Sequence, residues 1–130
     1  MIMPSPQQRR RPKNLNLFTI RLPVNAIISI MHRMSGMVLF LLLPAMLWAL
    51  HQSVASESAY LGLATLLGHW LPKTVLVILS WAFFHHFYAG LRHLAMDVHW
   101  MKSLSKARLS SRLVLCLDVL SVTVFAVFIW

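Results

Sequence analysis

The segment WAFFHHFYAGLRHLAMD, residues 81–97, places histidine and charged side chains inside a run that is otherwise apolar and rich in aromatic residues. On a helix, successive residues are about 100° apart, so residues at i, i+4, i+7 and i+11 share one face. These positions hold His86, Gly90, His93 and Asp97. Because such groups need hydrogen-bonding or charged partners in hydrocarbon, the segment predicts a functional face on a membrane-embedded helix.

Composition places the chain among integral membrane proteins. Of its 130 residues, 58% are hydrophobic and 12% are charged, and the mean hydropathy is +0.69. A soluble globular domain has about 25% charged residues. The net charge of +9 comes from basic residues that flank apolar runs, which favours membrane topology and anionic lipid over nucleic acid as the explanation. The single cysteine, Cys116, excludes an internal disulfide and a cysteine-based metal cluster, and we expect it to be a core residue.

Three apolar runs predict an all-α protein with three transmembrane helices, at about 26–51, 74–98 and 109–130. About 20 apolar residues suffice to cross a bilayer core of ~30 Å. A secretory signal peptide is an alternative for the first run, since basic residues precede it. Its length, together with His32 and Arg33 inside it, favours a transmembrane helix.

The chain outside these runs predicts the topology. Residues 1–25 form a basic cytoplasmic tail and an interfacial segment, Asn25 is placed to cap the first helix, and residues 60–70 form a short surface helix. With these three spans, all Lys and Arg residues except Lys73 lie on, or towards, the same side of the membrane. Because basic residues mark the cytoplasmic side, we expect a cytoplasmic N-terminus and a periplasmic C-terminus. Three helices joined by short loops cannot enclose a large cavity by themselves. Because two of them carry polar faces, we expect a partner chain and hence a heteromeric helical bundle.

The height of each polar residue follows from the rise of a helix. With the inner membrane boundary near Ile27 and Val98 and a rise of ~1.5 Å per residue, His86 lies ~18 Å deep and His32 ~8 to 9 Å deep. A vertical separation of ~10 Å predicts that His32 and His86 cannot ligate one iron. The same estimate groups three further residues with His32 in the shallow layer: Arg33, Arg92 and His93.

A histidine near the middle of the membrane has three explanations. His86 either forms a hydrogen bond to a neighbouring helix, joins a proton path, or ligates haem iron through its neutral imidazole. Gly90, four residues further on, favours the haem, because its missing side chain leaves room for a porphyrin face.

The shallow layer predicts different contacts. Ser29, His32, Arg33 and Gly36 share a face at i, i+3, i+4 and i+7. His32 and Arg33 either bind haem propionates or extend to lipid phosphates, and Ser29 is placed to donate a hydrogen bond to a quinone carbonyl.

Two motifs resemble a known family. RPKNLNLFTIRLPVNAIISIMHRMSG, residues 11–36, and HFYAGLRHLAMD, residues 86–97, resemble the cytochrome b membrane-anchor subunit of bacterial succinate dehydrogenase. The patterns S-I-x-H-R-x-S-G on the first helix and H-x-x-x-G-x-R-H-x-x-x-D on the second are present at full length and in the same order. Three spans within 130 residues agree with that family.

The resemblance implies roles for the residues that match the motifs. It implies that His86 is one axial ligand of haem b, and that a companion anchor subunit supplies the other histidine. Ser29 and Arg33 correspond to ubiquinone-site residues, and His32 and Arg33 to residues near the haem propionates. Three further motif residues have supporting roles: Arg92, His93 and Asp97. Of these, Arg92 and Asp97 are expected to hold the cytoplasmic ends of the helices and to dock the iron–sulfur subunit.

Two features depart from the family pattern. The histidine is doubled, so the choice of His86 over His85 rests on its spacing to Gly90 and Arg92. Asp118 lies in the third span outside either motif, and we expect it to pair with a polar group of the partner subunit.

The function implied is membrane anchoring of the flavoprotein and iron–sulfur subunits of succinate dehydrogenase at the bacterial inner membrane, with electrons passing from succinate to ubiquinone. The chain has no catalytic residues of its own in this interpretation, because it lacks a flavin-binding fingerprint and a cysteine set for iron–sulfur clusters. One alternative is the anchor of a fumarate reductase. Another is a three-helix proton or ion pathway with His86, His93 and Asp97 as relays.

Overall fold

The structure is a computed structural model that describes residues 22–100 and 103–130. Within these residues, four helices follow one another: α1 (Val24–Ala55), α2 (Glu57–Gly68), α3 (Trp70–Asp97) and α4 (Leu104–Ile129). This architecture confirms the predicted all-α class. Most of the predicted basic tail, residues 1–21, lies outside the described residues.

Three of the helices are long and apolar enough to cross a membrane: α1, α3 and α4. They contain 32, 28 and 26 residues. At 1.5 Å per residue they are roughly 48, 42 and 39 Å long, beyond the ~30 Å of a bilayer core. Each helix begins before the corresponding predicted span, since hydrogen bonding continues past the apolar run. The start of α4 illustrates this, because Ser103 Oγ accepts a hydrogen bond from the Lys106 N–H at 3.4 Å and so caps the helix.

The connection between α1 and α3 contains the predicted short surface helix, here α2. Its first turn is capped by Ser56, whose Oγ accepts a hydrogen bond from the Ala59 N–H at 3.1 Å. None of its residues is buried. The predicted helix, residues 60–70, starts about three residues later and ends about two residues later than α2. The observed start is set by the cap at Ser56, and the observed end by the turn of the chain at His69.

The predicted helix cap at Asn25 is wrong. Pro23 occupies the N-cap position and Asn25 lies inside the first turn of α1. Its side chain instead contacts α4, where the Ser111 hydroxyl donates a hydrogen bond to Asn25 Oδ1 at 2.7 Å. The amide therefore joins α1 to α4 at the end of the bundle where α1 begins.

The packed core is small and lies where the three long helices meet. Ile28, Ala89 and Val114 contribute one side chain from each of α1, α3 and α4, and they are 0%, 0% and 4% exposed. Most large apolar side chains face outward, as Phe40 and Phe128 do at 70% and 87% exposure. Outward apolar surface of this extent is what lipid or a partner chain covers.

The prediction that Cys116 is a core residue is wrong, because its side chain is exposed on α4. Val114 and Asp118 are the buried residues on either side of it. A residue two positions from each of them points roughly 200° away, to the opposite side of the helix. An apolar run by itself does not show which of its small residues face inward.

Candidate functional site

Three histidine rings meet on the face shared by α1 and α3. The rings of His32 and His86 are stacked, with centroids 4.3 Å apart and planes 9° from parallel. The ring of His93 lies on the other side of His32, with centroids 5.1 Å apart and planes tilted by 47°. His32 therefore lies between two α3 histidines that are about two helical turns apart.

The predicted ~10 Å difference in height between His32 and His86 is wrong. The estimate assumed that α1 begins level with the end of α3. Ile28, four residues into α1, instead belongs to the same core cluster as Ala89, eight residues before the end of α3. The end of α3 therefore extends beyond the start of α1, and this shift brings His86 level with His32.

The contact between these two rings does not make them two ligands of one metal ion. An imidazole nitrogen binds a metal along a direction in the ring plane. Because the His32 and His86 rings lie face to face, their nitrogens do not converge on a common point between them. The stacked geometry thus agrees with the prediction that His32 and His86 do not ligate one iron. The reason is the orientation of the two rings and not a difference in their height in the membrane.

Hydrogen bonds to the α1 backbone set the tautomer of His86. Its Nδ1 lies 3.1 Å from the carbonyl oxygen of His32, and because a carbonyl only accepts, Nδ1–H is the donor. The buried Ser35 hydroxyl donates to the same carbonyl at 2.9 Å and lies 3.4 Å from His86 Nδ1. With Nδ1 protonated, a neutral His86 ring has its lone pair on Nε2.

Gly36 allows the close approach of His86 to α1. A Cβ atom built on Gly36 would lie 2.8 Å from His86 Cε1 and 3.1 Å from Nδ1. The ring therefore occupies the space that any other side chain would fill. At Gly90, a Cβ would lie 3.6 Å from His32 Nε2, an ordinary contact distance. The residue predicted to leave a gap for a porphyrin, Gly90, thus lies beside the His32 ring.

His85 points the other way, into the core between the three long helices. Its side chain is fully buried, and Nδ1 donates a hydrogen bond to Asp118 Oδ2 at 2.6 Å. Its Nε2 faces the carbonyl oxygen of Ile28 at 3.5 Å. Asp118 is 2% exposed, so the expectation that it pairs with a partner subunit is wrong, because its partner is in this chain.

Arg92 also faces α4, one stripe away from the histidine cluster. It is 5% exposed, and its Nε donates to Ser110 Oγ at 3.1 Å. A side chain enclosed in this way holds α3 against α4, and the expectation that it docks the iron–sulfur subunit does not fit its burial. Asp97, the last residue of α3, is exposed at the helix end.

The α1 residues of the predicted site lie around the histidine cluster. Ser29 and His32 are half-buried, whereas Arg33 is exposed. Arg33 follows His32 and therefore projects about 100° away around α1, outside the packed core of this chain. An exposed guanidinium within a membrane-spanning helix requires an anion, a polar ligand or the membrane surface.

The space between the helices at the other end of the bundle is lined mainly by apolar side chains among residues 22–100 and 103–130. A cavity of about 520 Å³ lies between the helices there, with a lining drawn from all four of them that is apolar apart from Ser80. The Ser80 hydroxyl donates to the carbonyl of Val77 on its own helix at 2.7 Å. Among the described residues, the lining of this cavity therefore offers no group of polar side chains comparable to His32, His86 and His93.

A family model decides the assignment. The model of the succinate dehydrogenase/fumarate reductase transmembrane subunit matches residues 7–125, which include both motifs, all of α1 and α3 and all but the last turn of α4. The chain belongs to this family. The resemblance predicted from the two motifs is therefore confirmed.

Curated members of the family are similar over nearly their whole length. The chain is 41% identical over 123 residues to a succinate dehydrogenase cytochrome b556 subunit from Coxiella burnetii, covering 93% of this chain and 98% of the relative. Proteins of the same name from Paracoccus denitrificans and Rickettsia felis are 34% and 30% identical, over 91% and 85% of this chain and 94% and 86% of each relative.

Within this family member, three contributors to the site had no predicted role. Ser35 and Gly36 stand in the first motif, but their effect depends on how closely α3 approaches α1. The Ile28 carbonyl is a backbone group that every residue has, so the sequence gives no sign that this one contacts His85. The pairing of His85 with Asp118 had a usable signal, since a carboxylate in one span needs a partner and another span, α3, offers three histidines.

Proposed function

We propose that this chain is the cytochrome b anchor subunit of a succinate:quinone oxidoreductase and that His86 is its axial ligand to haem b. One observation supports the choice of His86 over His85. His86 donates through Nδ1 to the His32 carbonyl, which leaves the Nε2 lone pair for iron, whereas both ring nitrogens of His85 face oxygen atoms within the core. A histidine that ligates a metal typically donates its other ring N–H to a carbonyl or carboxylate in this way.

The residues around His86 fit a haem ligand. Gly36 gives the ring space against α1, and the His32 carbonyl and Ser35 hydroxyl hold its orientation. Haem b, when bound, supplies one-electron transfer. The relatives are named as cytochrome b556 subunits, which supports this cofactor. The stacked geometry of His32 supports a second axial ligand from a companion anchor subunit, so that the haem is shared between two chains.

Ser29, His32 and Arg33 are proposed to serve the polar ligands on the same side of α1. The exposed guanidinium of Arg33 and the ring of His32 are placed to bind the haem propionates, and Ser29 and Arg33 to donate hydrogen bonds to a ubiquinone carbonyl. The exposure of Arg33 and the partial exposure of Ser29 and His32 support this, because a ligand or partner chain can reach them. His93, in contact with His32, and the exposed Asp97 are supporting residues at the same end.

In the assembled complex, the chain is proposed to bind the second anchor subunit in the bilayer and to hold the iron–sulfur and flavoprotein subunits at the bacterial inner membrane. The oxidation of succinate then takes place in the other subunits, and this chain positions the cofactors that pass electrons to ubiquinone. Three candidate spans support termini on opposite sides of the membrane, and the basic residues favour a cytoplasmic N-terminus. The family also includes fumarate reductase subunits, so the physiological direction is a property of the complex.

Purification of the complex with its haem tests the proposal. The affinity-purified complex is expected to contain flavoprotein, iron–sulfur and second anchor subunits and to show a haem b difference spectrum. His86→Ala is expected to remove or change that spectrum, while His51→Ala, at an exposed histidine near the other end of α1, leaves it unchanged. An unaltered haem spectrum in the His86→Ala complex would contradict the assignment, as would a complex with neither haem nor flavoprotein.

A further inference from the structure

A buried hydrogen bond joins α3 to α4 beside the proposed haem ligand. His85 Nδ1 donates to Asp118 Oδ2 at 2.6 Å, and the two side chains are 0% and 3% exposed. The Trp81 ring packs against the His85 ring, with centroids 5.5 Å apart. Asp118 Oδ1 is buried and has no hydrogen-bond partner within residues 22–100 and 103–130, so His85 is the side chain that this carboxyl group contacts there.

The two adjacent histidines make the rotation of α3 ambiguous. Neighbouring residues of a helix point about 100° apart, so a rotation of α3 by that angle would exchange the directions of His85 and His86. The side chains at positions 85 and 86 do not themselves distinguish these two rotations, because both are histidine. An acceptor on one neighbouring helix removes the ambiguity, since only one of the two rings can face it.

We propose that His85 and Asp118 are positioning residues for His86. By joining α3 to α4 through His85, they direct the His86 ring towards α1. The contacts on the two sides agree with this division: His85 reaches Asp118 on α4, whereas His86 reaches the His32 carbonyl on α1. Replacing a buried pair of polar or ionisable groups by apolar residues of similar volume is often neutral for stability, and the best attested use of such a pair is to specify register. The inference rests on the proposed ligation of haem by His86.

Three variants separate positioning from stability. His85→Asn keeps a side-chain N–H donor for Asp118 and removes the second imidazole that could compete with His86 as an iron ligand. Asp118→Asn keeps an oxygen acceptor for His85. The double variant His85→Leu/Asp118→Leu removes both polar groups and fills the space with apolar side chains, so it is expected to assemble. Each complex is purified and compared with wild type by haem content, by low-spin haem electron paramagnetic resonance and by midpoint potential.

The two conservative variants are expected to retain the wild-type haem signals. The double leucine variant is expected to assemble with a shifted resonance and midpoint potential, because the hydrogen bond that sets the rotation of α3 is absent. A wild-type haem signal in the double variant overturns the proposal, as does loss of the signal in either conservative variant. Failure of the double variant to assemble also overturns it, because the pair then serves folding.

The same measurements distinguish failure of this inference from failure of the proposed function. If His86→Ala leaves the haem spectrum unchanged, His86 is not the ligand and the proposed function fails. If His86→Ala removes the haem while the double leucine variant matches wild type, ligation by His86 stands and only the positioning role is excluded.

Discussion

Replacing Gly36 by alanine introduces a methyl group into space that the His86 ring already occupies. The new Cβ would lie 2.8 Å from His86 Cε1. Carbon atoms in contact prefer a separation of ~3.5 to 4.0 Å, so the ring or the two helices must move by roughly 1 Å. Overpacking of this kind typically costs about 1 to 3 kcal/mol. Alanine is favoured over glycine in a helix by about 1 kcal/mol, which leaves a net destabilisation of up to ~2 kcal/mol.

The movement also affects the tautomer-setting contact. His86 Nδ1 lies 3.1 Å from the His32 carbonyl oxygen, and a displacement of about 1 Å takes that pair beyond hydrogen-bond distance. Gly36→Ala is therefore expected to lower the thermal stability of the purified complex and to shift the haem spectrum and midpoint potential. The effect on the haem follows from the proposed ligation by His86.

Gly62 provides a matched control. It also lies in a helix, α2, but a Cβ built there meets no atom within 4 Å. Gly62→Ala is expected to leave the haem unchanged and to be neutral or stabilising by up to about 1 kcal/mol. If Gly36→Ala and Gly62→Ala give the same stability and the same haem spectrum, the close approach of His86 to α1 is refuted.

Three further predictions follow from the positions of polar side chains. Arg33→Leu is expected to lower quinone reduction on the order of ten- to a hundredfold, since a hydrogen bond from a charged group contributes about 1.5 to 3 kcal/mol. Ser29→Ala is expected to lower it by about two- to tenfold, since a hydrogen bond between neutral groups contributes about 0.5 to 1.5 kcal/mol. Succinate oxidation with a soluble artificial acceptor should change little, and equal loss in both assays would indicate failed assembly. Asn25→Ala is expected to cost about 0.5 to 1.5 kcal/mol in thermal unfolding because Ser111 loses its acceptor on α1, and unchanged stability would contradict that contact. Alkaline phosphatase fused after Trp130 is expected to be active, and an inactive, correctly inserted fusion would reverse the proposed orientation.

Several features of the fold and site are predictable from the sequence because they depend on local properties. Long apolar runs predict spanning helices whatever their neighbours are, since each must satisfy its own backbone hydrogen bonds in lipid. The 3.6-residue period places His86, Gly90 and His93 on one face of α3 and His85 on another. The two sequence motifs similarly indicate the family without knowledge of helix packing, and the family match confirms it.

Partner choice was not predictable in the same way. The sequence shows that Asp118 needs a polar partner, and the partner is His85 of the same chain because α4 packs on that face of α3. Asn25 resembles a helix cap, yet its amide accepts from Ser111 because α4 passes beside the first turn of α1. In both cases local chemistry defines the need, and the packing of distant segments decides how it is met.

By itself, the sequence determined the helical class, the number of spanning helices and the family, because hydropathy, helical period and motif spacing are properties of single segments. The tertiary structure decided the relative height of the helices and hence the contact of His32 with His86. It also distinguished the two adjacent histidines, His85 in the core and His86 against the α1 backbone. The reason is that the sliding of one helix along another and its rotation depend on packing between segments far apart in the chain, and no residue pattern within one helix specifies either.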